Sequence, residues 1–202
     1  MRLAVGGGTI SHHRGAGPAD IKLLFPRPSM VNAMFAGTGN PIPTKGFNRI
    51  SWLKGPFTQI TDRLTHHLRH TPELLADPDY ARVNTTLTLH LAAYSMAEIG
   101  NRDPIGRRIA AGMPDGDIQL AVRDDAALIL RARGGRLSVH EGVSPTRRAT
   151  MVFADLDSAG AVLRGEVATY TALGRGDIEP SGYVPLLDKM NKLLGLVPRY
   201  LA

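Results

Sequence analysis

Three side chains that can exchange a proton recur at helical spacing in the middle of the chain. His90, Tyr94 and Glu98 lie four residues apart, so successive turns of one helix face carry them beside Leu87 and Leu91. A phenol or a carboxylate can orient an imidazole that acts as a general base. These residues are the candidate catalytic set of an enzyme, a cyclase or isomerase in secondary metabolism with His90 as the base. Polar groups that satisfy one another across a helix interface explain the stripe equally well.

A second set of polar side chains has the spacing of metal ligands. Asp62, His66 and His70 are four residues apart and share one face of a predicted helix. The glutamate of a zinc hydrolase motif is missing from this segment, and no further ligand is evident. A solvated helix face accounts for the three residues, so we expect no metal and no cofactor. Asp155 and Asp157 stand where a strand turns into a helix, and we expect Asp157 to be the helix N-cap.

The composition excludes several classes of site. The 202 residues include no cysteine, which rules out disulfides, thiolate metal sites and a cysteine nucleophile. No apolar run is long enough to span a bilayer, and the N-terminus lacks the apolar core of a signal peptide. We therefore expect a soluble, cytoplasmic protein.

The net charge of +6 is unevenly distributed along the chain. Residues 1–114 contain 13 lysines and arginines against 7 acidic residues, whereas residues 115–202 contain 11 of each. A basic surface attracts anionic lipid headgroups, so we expect transient contact with anionic membranes, in which Trp52 and Phe57 near Lys54 are candidates. Dimerisation through the N-terminal arm, residues 1–56, is a further hypothesis. The charges form no continuous run and accompany no nucleic-acid motif, so we expect no nucleic-acid binding.

The elements that carry these residues fall into three segments. Glycine and proline interrupt every pattern up to residue 56, which predicts an irregular N-terminal arm over residues 1–56. Apolar residues at helical spacing predict a helical extension over residues 57–113, packed on the domain that follows. Residues 115–202 show strand patterns and then helix patterns, and we expect them to form the main domain.

The main domain begins with a run of predicted strands. The stretch "DIQLAVRD" alternates apolar and polar residues, which is typical of a half-buried strand. The pair Gly134-Gly135 predicts a two-residue hairpin, because both positions can adopt the positive φ that such a turn needs. A fourth strand, "ATMVFADLD", is apolar on both faces and is expected at the centre of the sheet. Pro180 in the last strand favours an edge position.

A wide apolar face marks the final helix. Pro185 suits a first helical turn, and after it large apolar residues recur every three or four positions. They are Leu186, Leu187, Met190, Leu193, Leu194 and Val197. Such a helix must cover an apolar surface, so it either completes the core of its domain or closes a cavity. The order of all elements predicts an α+β fold, an antiparallel sheet covered by helices on one face, with an N-terminal helical extension.

Residues 115–202 resemble the sterol carrier protein-2 (SCP2) domain family. The stretch "ATMVFADLDSAGAVLRGEV" is similar to the family's strand, acidic pair and helix. The stretch "GDIEPSGYVPLLDKM" is similar to its G-x-[LI]-x-x-x-G strand, which leads into the C-terminal helix. Two features depart from the family pattern. Pro180 lies in the last strand, and residues 165–174 lack the aromatic pair and the proline expected there.

The resemblance implies an apolar tunnel between sheet and helices that holds a fatty-acyl, sterol, isoprenoid or polyketide-like ligand. The residues that could line it are Leu128, Leu130, Val152, Leu163, Val167, Tyr170, Leu173, Tyr183, Leu186, Leu187, Met190 and Leu194. The same residues would equally form a filled core. Our leading hypothesis is a lipid-binding or lipid-transport protein without catalysis, and the enzyme with His90 as base is the alternative. A third hypothesis is an assembly factor for a membrane-lipid or quinone pathway, which would use only its surface.

Overall fold

The computed structural model describes residues 2–7, 9–13, 15, 17–35 and 38–201. The chain divides into two compact units, Met1–Leu64 and Thr65–Ala202. The second unit contains the whole segment with SCP2 resemblance.

The first unit consists of short elements. Its strands form two antiparallel pairs, β1 (Arg2–Gly6) with β2 (Thr9–His13), and β3 (Lys22–Leu24) with β4 (Ile42–Lys45). The helical elements are α1 (Pro28–Phe35), a 3₁₀ turn (Phe47–Arg49), α2 (Ile50–Trp52), a π-helical stretch (Leu53–Phe57) and α3 (Thr58–Leu68), which continues into the second unit. The arm predicted to be irregular therefore contains regular elements, because strands of three to five residues fit between its glycine and proline breaks.

Apolar side chains of the first unit remain accessible. None of the side chains that the structure describes in residues 3–64 is buried. Leu24, Ile42 and Phe47 expose between 47% and 64% of their surface. The described part of this unit thus has no core of its own.

The second unit is built on one five-stranded sheet. Its strands are β5 (Gly116–Val122), β6 (Ala127–Arg133), β7 (Arg136–Glu141), β8 (Arg147–Phe153) and β9 (Ile178–Gly182). They lie in the order β7-β6-β5-β8-β9. Within residues 116–182, three of the four strand pairs are antiparallel as predicted, and the pair β5–β8 is parallel. The fourth strand, β8, has a neighbour on each side, and β9, with Pro180, is an edge strand, so both predictions are confirmed.

The turn between β6 and β7 has the predicted form. Gly134 and Gly135 separate the two strands and have φ angles of 54° and 71°. Positive φ at both central positions is typical of the type I′ turn, whose twist matches that of the strands it joins. The hairpin predicted from this glycine pair is therefore confirmed.

The helices of the second unit cover one face of the sheet. They are α4 (Pro72–Leu75), α5 (Pro78–Arg102), α6 (Pro104–Ala111), α7 (Leu156–Leu163), α8 (Thr169–Arg175), α9 (Val184–Leu194) and α10 (Pro198–Leu201). Helices α5 and α9 both pack against strands of the sheet. The α+β fold with helices on one face is thus confirmed.

The start of α7 corrects one prediction. Asp155, and not Asp157, is the N-cap, since its carboxylate accepts a hydrogen bond of 2.8 Å from the backbone N–H of Ser158. Asp157 lies in the first helical turn, where a negative charge interacts favourably with the helix dipole. Both acidic residues therefore have a structural role.

Candidate functional site

The helix-covered face of the sheet is a continuous apolar surface. The strand register aligns Ile118 of β5 with Leu130 of β6 and Ala149 of β8, and Leu130 with Val139 of β7. These residues point to the same side because alternate residues of a strand share a face. Together with the helices they form one cluster of apolar side chains, which we call the apolar layer.

Most of the predicted ligand-contacting residues lie in the apolar layer. Nine of the twelve belong to it: Leu128, Leu130, Leu163, Val167, Leu173, Leu186, Leu187, Met190 and Leu194. They come from strands and helices far apart in sequence, so the fold brings them together. The remaining three residues lie elsewhere.

Val152, Tyr170 and Tyr183 are outside the layer. Val152 pairs with Ala121 and Glu179 on the opposite face of the sheet. Tyr170 is 83% exposed and cannot line a buried site in this conformation. Tyr183 is 39% exposed at the start of α9, and the Arg148 guanidinium lies 4.4 Å from its ring centroid. Sequence spacing alone does not distinguish an inward from an outward position near the end of a short element.

Helix α9 is the predicted cover of the layer. Leu186, Met190 and Leu193 are completely buried, whereas Leu187 and Leu194 are half-buried at its margin. This pattern agrees with the predicted apolar face, because residues three and four apart share one side of a helix.

The layer is closed around its central side chains. Leu128, Leu130, Leu186 and Met190 each have 0% exposed surface, so no space large enough for a water molecule borders them. Leu186 also lies directly against β5: a Cβ atom at Gly116 would be only 2.7 Å from its Cδ1. At these four residues the predicted tunnel is therefore not open in this conformation.

The proton-transfer stripe of α5 is only partly assembled. His90 is half-buried, and its Nδ1–H donates a 2.8 Å hydrogen bond to the carbonyl of Thr86, one turn back in the same helix. Tyr94 is 48% exposed. Glu98 accepts a hydrogen bond from Arg102, and it lies about 12 Å along the helix from His90. Glu98 therefore cannot orient the His90 ring directly, and none of the three residues belongs to the apolar layer.

The face of the sheet opposite the helices carries a buried polar cluster that the sequence did not predict. Asp117 is completely buried and receives two hydrogen bonds of 2.8 Å from the Arg131 guanidinium and one of 2.7 Å from the Ser144 hydroxyl. Arg133 lies 3.4 Å from the same carboxylate. The hydrogen bonds from Arg131 hold the pKa of Asp117 at about 2, below its ordinary 3.8, and Ser144 adds to this effect against the opposing influence of burial.

This cluster fixes the connection between β7 and β8. Because β7 is at one edge and β8 lies beyond β5, residues 142–146 must cross over two strands. Gln119 donates to the carbonyls of Leu128 and Gly142, each at 3.0 Å, and accepts from the Ser144 N–H at 2.9 Å. A buried polar side chain requires such partners, so the cluster stabilises the parallel β5–β8 arrangement.

Asp62, His66 and His70, whose spacing is that of metal ligands, do not form a site in the described part of the chain. Among the residues that the structure describes, no group of three or more His, Asp or Glu side chains could hold a metal ion. His70 instead lies 3.9 Å from Glu166. In the same described part of the chain, no helix is long and apolar enough to cross a membrane.

The chain is similar to solved structures, whereas comparisons with family models and curated proteins find no match. The matching solved structures include the UbiJ-SCP2 ubiquinone synthesis protein, with 14% identity and a TM-score of 0.42, covering 56% of this chain and 94% of that one. They also include the sterol carrier protein domain 2 of Helicoverpa armigera (15% identity, TM-score 0.45, 57% and 91% covered) and palmitated SCP2L2 from Aedes aegypti (24%, 0.41, 53% and 91%). The chain is thus similar in structure to SCP2 domains, as its sequence predicts.

Proposed function

We propose that the second unit binds a hydrophobic small molecule of the fatty-acyl, sterol, isoprenoid or polyketide-like class between the sheet and α9. The observation that carries this proposal is the apolar layer itself. Strands and helices contribute aliphatic side chains to both of its sides, and α9, near the end of the chain, covers part of it beside α5. Ligand sites for apolar molecules have such walls.

Binding requires α9 to move, and the energies decide which ligands can bind. Exposing Leu186, Met190 and Leu193 costs about 1.5 to 3 kcal/mol each, or roughly 5 to 9 kcal/mol together. Each CH₂ group of a ligand that enters the layer contributes about 0.8 kcal/mol. A chain of six carbons therefore does not offset the opening of α9, whereas a chain of about 14 to 16 carbons does.

The connections of α9 are consistent with such a movement. Gly182 precedes the helix with a φ of 90°, and Gly195 follows its last residue. The half-buried Leu187 and Leu194 border the layer where α9 would separate from its neighbours. We therefore propose that α9 is the gate of the site.

A chain-length series tests the proposal. The delipidated full chain is titrated with saturated fatty acids of 8 to 16 carbons, by displacement of a fluorescent fatty acid. We expect negligible binding of the shortest acid and about a four-fold gain in affinity for each added CH₂ group. An affinity that does not depend on chain length would contradict burial of the chain in the layer.

The first unit supplies a surface for contact with anionic membranes in this proposal. The exposed Leu24, Ile42 and Phe47 accompany Lys45 and Arg49, and apolar side chains beside cations favour an anionic bilayer surface. We expect the full chain to co-sediment with phosphatidylglycerol vesicles, and Phe47→Ser to weaken this binding. Equal binding to neutral phosphatidylcholine vesicles would contradict the role of charge.

A further inference from the structure

A cleft separates α6 from the tip of the β6–β7 hairpin. It has a volume of about 870 Å³, which lies within the range typical of small-molecule sites. Its lining includes Asn101, Arg107, Arg108, Gly134, Gly135 and Arg136. The apolar layer contributes none of these six residues, so the cleft is distinct from the site proposed above.

Three arginines of the cleft differ from the other arginines around them. Of the nine arginines between residues 102 and 148, six have a partner: Arg102, Arg123, Arg131 and Arg133 pair with carboxylates, and Arg147 and Arg148 donate to backbone carbonyls. Arg107, Arg108 and Arg136 form no ion pair or side-chain hydrogen bond with any residue that the structure describes. Their guanidinium groups are therefore available to a ligand.

The walls of the cleft are held in place on both sides. Asn101, at the end of α5, donates to the carbonyl of Leu137 at 2.7 Å and accepts from its N–H at 2.9 Å, which fixes β7 beside the helix. At the hairpin tip, Asp115 accepts a 2.8 Å hydrogen bond from the N–H of Gly134. A Cβ atom at Gly135 would lie 3.1 Å from the Cα of Ala111, so only glycine allows this close approach to α6.

The arginines come from both walls and face a shared space. Pro104, Arg107, Arg108 and Ala111 have the i, i+3, i+4, i+7 spacing of one side of α6. Arg136 follows the hairpin turn on the opposite wall. All three arginines line the same cleft, so an anion bound there could interact with more than one guanidinium group.

We propose that this cleft binds the phosphate group of a small phosphorylated molecule. A phosphate monoester carries a charge of about −1.5 to −2 and three acceptor oxygens, whereas a carboxylate carries only one charge. Arginine matches phosphate geometry through two parallel N–H donors. The charge and donor number of the three arginines therefore fit a phosphate or diphosphate group better than a carboxylate.

The test measures binding of inorganic pyrophosphate to the full chain by calorimetry at low ionic strength. The variant R107Q/R136Q removes one guanidinium from each wall. The control variant R69Q/R175Q removes the same charge from two exposed arginines of the second unit that lie outside the cleft. We expect R107Q/R136Q to lose at least ten-fold in affinity and R69Q/R175Q to retain that of the wild type. Thermal unfolding of each variant verifies that both remain folded.

A second arm distinguishes a free phosphate compound from a lipid headgroup. The same proteins are mixed with phosphatidic acid vesicles. Loss of pyrophosphate binding in R107Q/R136Q alone supports the proposal and assigns a free phosphate compound as the ligand. If pyrophosphate does not bind, loss of vesicle binding in R107Q/R136Q alone supports the proposal and assigns a lipid headgroup. Equal losses in both double variants, or no loss in R107Q/R136Q with either probe, would overturn it. Neither result depends on binding of an apolar ligand between the sheet and α9.

Discussion

Replacing Leu130 with alanine creates space in the middle of the apolar layer without changing α9. Leu130 is completely buried, and its neighbours across the sheet are Ile118 and Val139. Ile129 is a matched control because it lies next to Leu130 in β6, is only 6% exposed, and points to the opposite face of the sheet. The pair Leu130→Ala and Ile129→Ala therefore compares similar losses of buried surface on the two sides of one strand.

The structure predicts opposite effects of Leu130→Ala on stability and on ligand affinity. Replacement of a buried leucine by alanine costs about 2 to 5 kcal/mol, of which the loss of apolar transfer energy is about 2 kcal/mol and the rest is due to the cavity. A ligand that fills the cavity recovers this second part. We expect recovery of about 1 to 2 kcal/mol, which corresponds to a gain of roughly 5- to 30-fold in affinity for palmitate.

Two assays are needed, since stability and affinity must be measured on the same proteins. Urea unfolding followed by far-UV circular dichroism gives the free energy of unfolding, and displacement of a fluorescent fatty acid gives the affinity. We expect both variants to be destabilised and only Leu130→Ala to bind palmitate more tightly. An unchanged or reduced affinity of Leu130→Ala, or an equal gain in Ile129→Ala, would refute the placement of the ligand in the layer.

Three further predictions concern the surrounding structure. The folded-state pKa of Asp117 is about 2, below its ordinary 3.8, so its charge contributes roughly 2 kcal/mol of stability above about pH 4, and this contribution is lost as the pH falls through 2. In urea unfolding we expect Asp117→Asn to be less stable than the wild type at pH 6, with a difference that becomes smaller towards pH 2. A difference that does not change with pH would contradict the lowered pKa. Asn101→Ala removes both hydrogen bonds to Leu137, so we expect the free energy of unfolding to fall by about 1 to 3 kcal/mol and the Leu137 amide to exchange faster. Unchanged exchange of this amide would show that β7 does not depend on Asn101. His90→Ala should leave the affinity for palmitate unchanged because His90 lies outside the layer. A large loss of affinity in the displacement assay would show instead that His90 contacts the ligand.

The features that the sequence predicts well are those set by local chemistry. Pro185 and the regular spacing of Leu186, Met190 and Leu193 determine both the start and the buried face of α9. The Gly134-Gly135 pair determines the hairpin because few other residues adopt its backbone angles.

The features that it does not predict depend on strand order. Alternation places Asp117 and Gln119 on the polar side of β5, where the sequence suggests contact with solvent. Both are buried because the connection from β7 to β8 crosses that face and brings Ser144 onto them. The parallel β5–β8 pair has the same origin, since periodicity within a strand does not specify its neighbours.

The arginine cleft was missed for a related reason. Arg107 and Arg108 belong to α6, whereas Arg136 follows it by nearly thirty residues in β7. In the sequence they are scattered charges, and their importance depends on which neighbouring arginines find carboxylate partners. A three-dimensional arrangement is required to reveal that.

The most direct test of the account locates a bound chain inside the protein. Isotope-labelled stearate is added to the full chain, and nuclear Overhauser effects between the stearate chain and each protein methyl group, which report only direct contacts, are measured by NMR. The account predicts such effects for Leu128, Leu130, Leu186 and Met190, and none for Ile129 on the other face of the sheet. Effects at Ile129, or only at Leu24 in the first unit, with none in the layer would contradict it.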